Sequence, residues 1–335
     1  MIRKIIFAGF LFFIGGATIA QEVKYTSGNN SWNEDSLGNH RAVVQYNGNG
    51  SIAKVVIPWR RRDNNPALKR IIIQDATTGK KITNVKTDNI NNESGEIYFE
   101  PVSGSGTYYV YYLPYKNEGR SNYPKGVYLP AQNTATENWL QSIQQNLPLN
   151  TVVKEIQSIN DFNSFYPMEV IATEKETKEL VAKNMGKRFI VFPEDRMFPI
   201  KMQNRIPQRW ITKTALTSFN GEAARGEYYA YQLGIVALEN LEDVSVQFTD
   251  LKSGNGSIIR ANNISCINTD GTDYTGKTFR KEVTVQKYKV QAMWCGITVP
   301  QATKPGLYQG KAMVSAKGSP ATFIDIKLTV SNKLV

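Results

Sequence analysis

The chain has 335 residues, 41% of them hydrophobic, a formal net charge of +11 and a mean hydropathy of −0.37. That is enough apolar material for two ordinary domains and too little for a multispanning membrane protein. One histidine and two cysteines give no zinc pattern and close an imidazole-based triad only if His40 serves; no GxxxxGK[ST] or GxGxxG phosphate-binding motif occurs.

Residues 1–20 read as a secretory signal peptide. Arg3 and Lys4 form a basic start, Ile5–Ile14 an apolar stretch, and Thr18-Ile19-Ala20 a small-residue cleavage site before Gln21. The apolar stretch is shorter than a bilayer span needs, and no cysteine follows it to carry a lipid. The expectation is an exported protein, periplasmic or extracellular, with no membrane span after cleavage.

Residues 21–40 are rich in Asn, Ser and Gly and read as loop, with His40 at the end. Short apolar runs then recur about every ten residues: Ala42–Tyr46, Ser51–Trp59, Lys69–Gln74, Lys81–Lys86, Gly95–Glu100 and Gly106–Tyr115. Such spacing predicts an antiparallel β-sandwich, assigned here to residues 21–130. Residues 131–205 change period. A helix is expected over Asn133–Asn146, capped by Asn133 or Thr134, and a second over Glu174–Asn184, where Thr173 and Glu176 have capping-box spacing. Ser158–Phe165 is too short to assign, and Phe189–Phe192 is a brief apolar run. This segment reads as a partly helical connector packed against its neighbours.

The second β-sandwich is expected over 206–335. Gly226–Ala237 is apolar or aromatic on both faces, as suits a central strand. Val244–Leu251, Ile258–Asn268 and Thr278–Val285 follow. The C-terminal runs Val290–Val299, Leu307–Ala316 and Phe323–Val330, separated by Lys304-Pro305-Gly306 and Gly318-Ser319-Pro320, read as three antiparallel strands closing the sandwich. The fold class is therefore mainly β: two antiparallel sandwiches joined by a partly helical connector.

Chemistry-bearing patterns are few. The carboxylates Glu194-Asp195, Glu239 and Glu242-Asp243 read as solvated turns beside basic residues, and none forms a marked pair of the kind glycoside cleavage needs. Trp59 with Arg60, Arg61 and Arg62 admits two readings. The guanidiniums bind acidic or sulfated sugar, or their stems cover apolar surface while pairing with local acids such as Asp63. Nucleic acid is not supported, since the charge is spread along the chain. Tyr108, Tyr109, Tyr111, Tyr112 and Tyr115 read as strand packing or as a stacking platform for sugar. Cys266 and Cys295 either pair in an oxidising compartment or act as small core residues. No cofactor and no metal site are implied.

Three stretches carry a resemblance: Ile57-Pro58-Trp59-Arg60-Arg61-Arg62-Asp63 with Phe99–Val110; Gly226–Gln232; and Val299–Gly310. Together they resemble the N-terminal β-sandwich region of secreted, glycoside-hydrolase-like proteins of Bacteroidetes related to glycoside hydrolase family 123. The resemblance implies a following (β/α)₈ barrel whose Asp-Glu pair acts on N-acetylhexosaminides. No position here corresponds to that pair, so no catalytic residue is carried over. The expected function is a non-catalytic accessory region of such a glycosidase, with the catalytic barrel of the same polypeptide as its partner. The alternative is a free-standing carbohydrate-binding or surface-adhesion protein.

Overall fold

The computed structural model describes residues 23–144, 147–213 and 217–335. The signal-peptide assignment, residues 1–20, lies outside them.

The first sandwich packs a five-stranded sheet against a three-stranded one. Its strands are β1 (Lys24–Ser27), β2 (His40–Tyr46), β3 (Ala53–Ile57), β4 (Ile72–Asp75), β5 (Val85–Asp88), β6 (Gly95–Phe99) and β7 (Gly106–Tyr111). A hairpin of β8 (Tyr115–Asn117) and β9 (Gly126–Tyr128) and then β10 (Thr151–Ser158) follow. The larger sheet has the order β1-β10-β2-β7-β4, the smaller β3-β6-β5. Alternation in β2 turns Ala42, Val44 and Tyr46 inward, against Val55 and Ile57 of β3 and Ile97 and Phe99 of β6.

The second sandwich is built from β11 (Phe189–Asp195), β12 (Ser218–Arg225), β13 (Tyr228–Ala237), β14 (Ser245–Phe248), β15 (Leu251–Ser253), β16 (Ile258–Ile259) and β17 (Ile264–Cys266). The exposed hairpin β18 (Asp270–Thr272) and β19 (Thr278–Arg280) precedes β20 (Val290–Thr298), β21 (Gly306–Ser315) and β22 (Thr322–Leu334). One sheet runs β11-β13-β20-β17; the other runs β12-β22-β21-β15-β16, with β14 also on β21. The three C-terminal runs are strands, but not of one sheet: β20 pairs with β13 and β17, while β21 and β22 lie in the facing layer. The turn from Pro300, closed by the Thr303 amide on the Pro300 carbonyl, carries the chain between layers.

The segment 131–205 gives each sandwich a strand. β10 inserts between β1 and β2, parallel to the first and antiparallel to the second. β11 forms the edge beside β13, so Glu194 and Asp195 are strand residues and not a solvated turn. Glu194 is buried, accepting from Trp210 Nε1 at 3.0 Å and Arg209 Nε at 3.1 Å. The helix Glu174–Lys183 forms with the expected capping box, Thr173 accepting from the Glu176 amide and Glu176 from the Thr173 amide. It packs Leu180 and Val181 beside Ile190, Phe192, Trp210 and Val236, so this sheet is covered on both faces, as the two apolar faces of β13 require. The first connector helix is shorter than expected: Glu137–Gln141, capped by Thr136. Asn133 instead accepts from the Ala135 amide, and Thr134 donates to the Thr83 carbonyl, which removes both as caps.

Each half seats a buried tryptophan ring on a strand glycine. A Cβ on Gly95 would lie 2.2 Å from the Trp59 ring, and one on Gly234 2.5 Å from the Trp210 ring, itself stacked on Phe192 at 4.6 Å. Gly95→Ala and Gly234→Ala are therefore expected to lower unfolding free energy by about 1–3 kcal/mol each by overpacking. Gly254→Ala, with nothing within 4 Å of its Cβ, should stay within about 0.5 kcal/mol of the parent. Urea titrations read all three.

Candidate functional site

The run Trp59–Arg62 leaves β3 and turns the chain sharply, with Arg60 in the left-handed region at φ 45°. Neighbours hold that conformation at several points. The Arg60 amide donates to the Glu93 carbonyl at 3.1 Å and the Ile171 amide to the Arg60 carbonyl at 3.2 Å. The Arg60 guanidinium forks onto Glu176, Nη1 to Oε2 at 2.7 Å and Nη2 to Oε1 at 2.9 Å. Glu176 thus closes the helix cap and receives the first sandwich's arginine.

Arg61 and Arg62 enter a cleft of about 440 Å³ between the first sandwich and residues 162–170. Arg61 is 6% exposed. Its Nε and Nη2 donate to Asp63 at 2.5 and 2.7 Å, and Lys69 Nζ shares that carboxylate at 2.5 Å. Burial alone would raise the Asp63 carboxyl, yet the contacts with Arg61 and Lys69 overcome it and hold it below the ordinary carboxylate range. The Arg61 guanidinium lies 5.1 Å from the Trp59 ring and 5.3 Å from that of Tyr112. Its Nη1 has no hydrogen-bond partner, and neither has the Tyr112 hydroxyl, whose pKa burial pushes far up so that it stays protonated. Arg62 is half exposed and pairs with Glu169 at 2.9 Å.

His40 lines the same cleft from the first position of β2, not from a free loop. Its Nε2 stands 3.0 Å from the Asn163 carbonyl, which can only accept, so Nε2 carries the proton. Burial lowers its pKa against the opposing pull of that carbonyl, and the ring is neutral near pH 7. At the mouth, Phe162 is 95% and Tyr128 44% exposed.

The structure thus gathers Trp59, Arg60, Arg61 and Arg62 at one cleft but in different roles. Trp59 is 1% exposed and donates from Nε1 to the Asn91 carbonyl, so it is core and presents no open stacking face. Arg60 is an inter-element clamp, Arg62 a rim ion pair, and Arg61 alone keeps an unused buried donor. Of the tyrosine cluster, Tyr108, Tyr111 and Tyr112 are buried and Tyr109 lies under Arg41 at 3.6 Å, which is strand packing. Tyr112, His40, Phe162 and Glu169 reach the cleft from separate segments, a convergence without local sequence signal. Among the described residues, no three His, Cys, Asp or Glu side chains gather as a metal centre.

Cys266 and Cys295 are buried free thiols directly opposite on β17 and β20. The Ile267 amide bonds to the Trp294 carbonyl, so the cysteines occupy the adjacent non-hydrogen-bonded pair, where side chains stand closest. Their mutual hydrogen bond pulls the Cys266 thiol down to about 7, while burial pushes Cys295 up.

The two depressed pKa values in the cleft set a pH dependence. As pH falls, the unfolded chain takes up each proton first, so stability is full above the unfolded pKa and lost below it. The loss begins below about 6.5 for His40 and below about 4 for Asp63. In denaturant titrations across pH, His40→Gln should flatten the first decline. Asp63→Asn should flatten the second while costing on the order of 3 kcal/mol at pH 7 by stranding Arg61.

Residues 30–159 match the family model described as glycoside hydrolase 123, N-terminal domain, and residues 267–316 match a second model described as glycoside hydrolase 123 N-terminal domain. No curated protein matches the chain. Among solved structures, a family 123 glycoside hydrolase from Clostridium perfringens is similar at 19% identity over 44% of this chain and 28% of that one, with a TM-score of 0.35. A PapD-like domain of human CEP192 is similar at 12% identity over 37% of this chain and 93% of that one (TM-score 0.20), and the C-terminal domain of Wzt at 14% identity over 44% and 76% (TM-score 0.24). The chain spans about a quarter of the length of the Clostridium enzyme. By its two family matches, this chain is related to the N-terminal domains of glycoside hydrolase family 123.

Proposed function

We propose that the chain is the non-catalytic N-terminal accessory region of an exported glycoside hydrolase, working beside a catalytic barrel of the same polypeptide on N-acetylhexosamine-type glycans. The observation that carries this reading is that two separate stretches, 30–159 and 267–316, both match N-terminal domains of family 123. The clamped arrangement of the sandwiches suits such a role, because a platform that positions a catalytic neighbour must not flex. Its job is to pack against and shape the barrel, with glycan contact a secondary task. The test uses the natural full-length polypeptide and an aryl N-acetylhexosaminide. Hydrolysis by the full polypeptide, none by residues 21–335 alone, and a barrel-encoding reading frame after Val335 are expected. A stop codon at that point with no adjacent barrel would overturn the reading and favour the free-standing glycan binder.

Export follows from the basic-apolar-small pattern of residues 1–20. In an oxidising compartment Cys266 and Cys295 would close into a cross-strand disulfide, each thiol giving up its hydrogen to a disulfide oxidant such as oxidised glutathione. The secreted protein should begin at Gln21 and weigh two hydrogens less than its reduced form. A mature chain that begins at Met1, or that keeps both thiols after secretion, would contradict this.

A further inference from the structure

Of the three arginines that follow Trp59, only Arg62 is exposed, and it lines a second cleft of about 290 Å³ beside the segment Lys201–Arg205. Among the described residues, three cations line this cleft and no carboxylate does. The cations are Arg62, Lys201 and Arg205, each open to water. Arg205 forms no ion pair; its side chain makes one bond, from Nη2 to Asn92 Oδ1 at 2.9 Å. The exposed amide side chains of Asn64 and Gln203 line the cleft and make no hydrogen bond among the described residues.

The positive excess survives when every neighbouring charge is added. Arg62 and Lys201 share one carboxylate, Glu169, at 2.9 and 3.5 Å. Asn204, also on the cleft, accepts from Lys289 at 2.8 Å, which brings a fourth cation to the rim. Next along the seam, Arg61 and Lys69 share Asp63, and Arg60 pairs with Glu176, so neither group adds net negative charge.

Asn204 and Arg205 also line an adjoining groove of about 650 Å³, so the two spaces are continuous. The groove is apolar along Val181, Ala182 and Met185 and ends at the ring of Tyr288. Its own charges are Glu93 and the Glu174–Lys178 pair, with Lys287 at 4.9 Å from the Tyr288 ring, which leaves the two spaces together cationic. Tyr288 adopts φ 64°, which a bulky side chain rarely does, and its ring stays 56% exposed.

These features select the ligand. A planar carboxylate is matched by the fork of one guanidinium, whereas cations from two chain segments converging on one cleft suit the spread oxygens of a tetrahedral sulfate. Free amides both donate and accept, as a hydroxyl-rich molecule requires, and an exposed ring beside apolar side chains suits the C–H face of a sugar. Nucleic acid would call for cations tracking a backbone along a stripe, and here they gather at one end of an apolar groove.

We propose that cleft and groove together bind a sulfated glycan, its sulfate ester among Arg62, Lys201 and Arg205 and a neighbouring sugar ring against Tyr288. The inference goes beyond the accessory-region reading and does not need the catalytic barrel.

The test is calorimetric or NMR titration of residues 21–335 with 6-sulfated N-acetyllactosamine and with a chondroitin 4-sulfate tetrasaccharide. Their unsulfated counterparts, sodium sulfate and a short single-stranded DNA are the comparisons. Saturable binding of at least one sulfated glycan is expected, at least about tenfold tighter than its unsulfated counterpart and weakening as salt rises. Arg205→Gln should weaken it about tenfold, the equivalent of one charge-assisted hydrogen bond, with little change in thermal stability because no ion pair is lost. Tyr288→Asn, which tolerates the left-handed backbone, removes the ring and should weaken binding about fivefold. No saturable binding of either sulfated glycan, equal affinity for the unsulfated sugars, or indifference to Arg205→Gln or to Tyr288→Asn would each overturn the proposal. Sodium sulfate bound as tightly as the glycans would overturn the sugar assignment, and DNA bound as tightly would reduce the site to an unselective basic surface. Hydrolysis by the full polypeptide is a separate readout, so failure here leaves the accessory-region reading standing.

Discussion

The burial of a basic run at the seam between the two sandwiches is the constraint on which the rest of the structure depends. A guanidinium withdrawn from water must be paired, or its desolvation outweighs what packing returns. Each of the three arginines meets a different acid: Arg60 takes Glu176, Arg61 takes Asp63 together with Lys69, and the half-exposed Arg62 takes Glu169 together with Lys201. Two of those acids lie in the segment that joins the sandwiches, so satisfying the charges also brings that segment against the first β-domain. Arg60 is the strictest of the three, held by its backbone on both sides and by a two-pronged side-chain contact, in a conformation few side chains adopt.

From this clamp a continuous path runs through the molecule. Glu176 sits in the first turn of the helix Glu174–Lys183, and the helix covers the outer face of the β11-β13-β20-β17 sheet with Leu180 and Val181. Lesser contacts repeat the path: the Glu174 amide donates to Glu93 and Arg205 donates to Asn92. The joining segment also gives β10 to one sandwich and β11 to the other, so separating them would pull a strand out of a sheet. A catalytic neighbour could be positioned by such a platform, because its two halves are fixed through hydrogen-bonded strands as well as through side chains.

Period and turn chemistry in the sequence carried the strands well. Val290–Val299, Leu307–Ala316 and Phe323–Val330 each became a strand at nearly the expected bounds, and the capping box at Thr173 and Glu176 formed as read. Partner choice was not legible. The three successive runs read as antiparallel strands closing the sandwich, but nothing in them told that β20 belongs to the opposite layer from β21 and β22, since alternation within a strand says which face is buried and nothing of which strand lies beside it. Thr151–Ser158 was hidden for a related reason: its Lys154, Glu155 and Gln157 dilute the apolar signal, and only pairing with β1 and β2 makes it a strand. The pairing of Arg61 with Asp63 could be anticipated from a spacing of two residues. The cleft could not, because its lining is distant in sequence: Tyr112 reaches Arg61 from the end of β7, while Phe162 and Glu169 follow β10, which inserts between β1 and β2.

The central claim, that the basic run is a clamp between folded parts and not a solvated patch, is tested most directly by a double-mutant cycle on Arg60 and Glu176. Arg60→Met, Glu176→Gln and the double variant would be unfolded in urea beside the parent. A coupling of about 1–3 kcal/mol, with each single variant losing most of what the double variant loses, is the predicted result. A coupling indistinguishable from zero would mean that the two side chains behave as an ordinary surface pair, and would contradict the account.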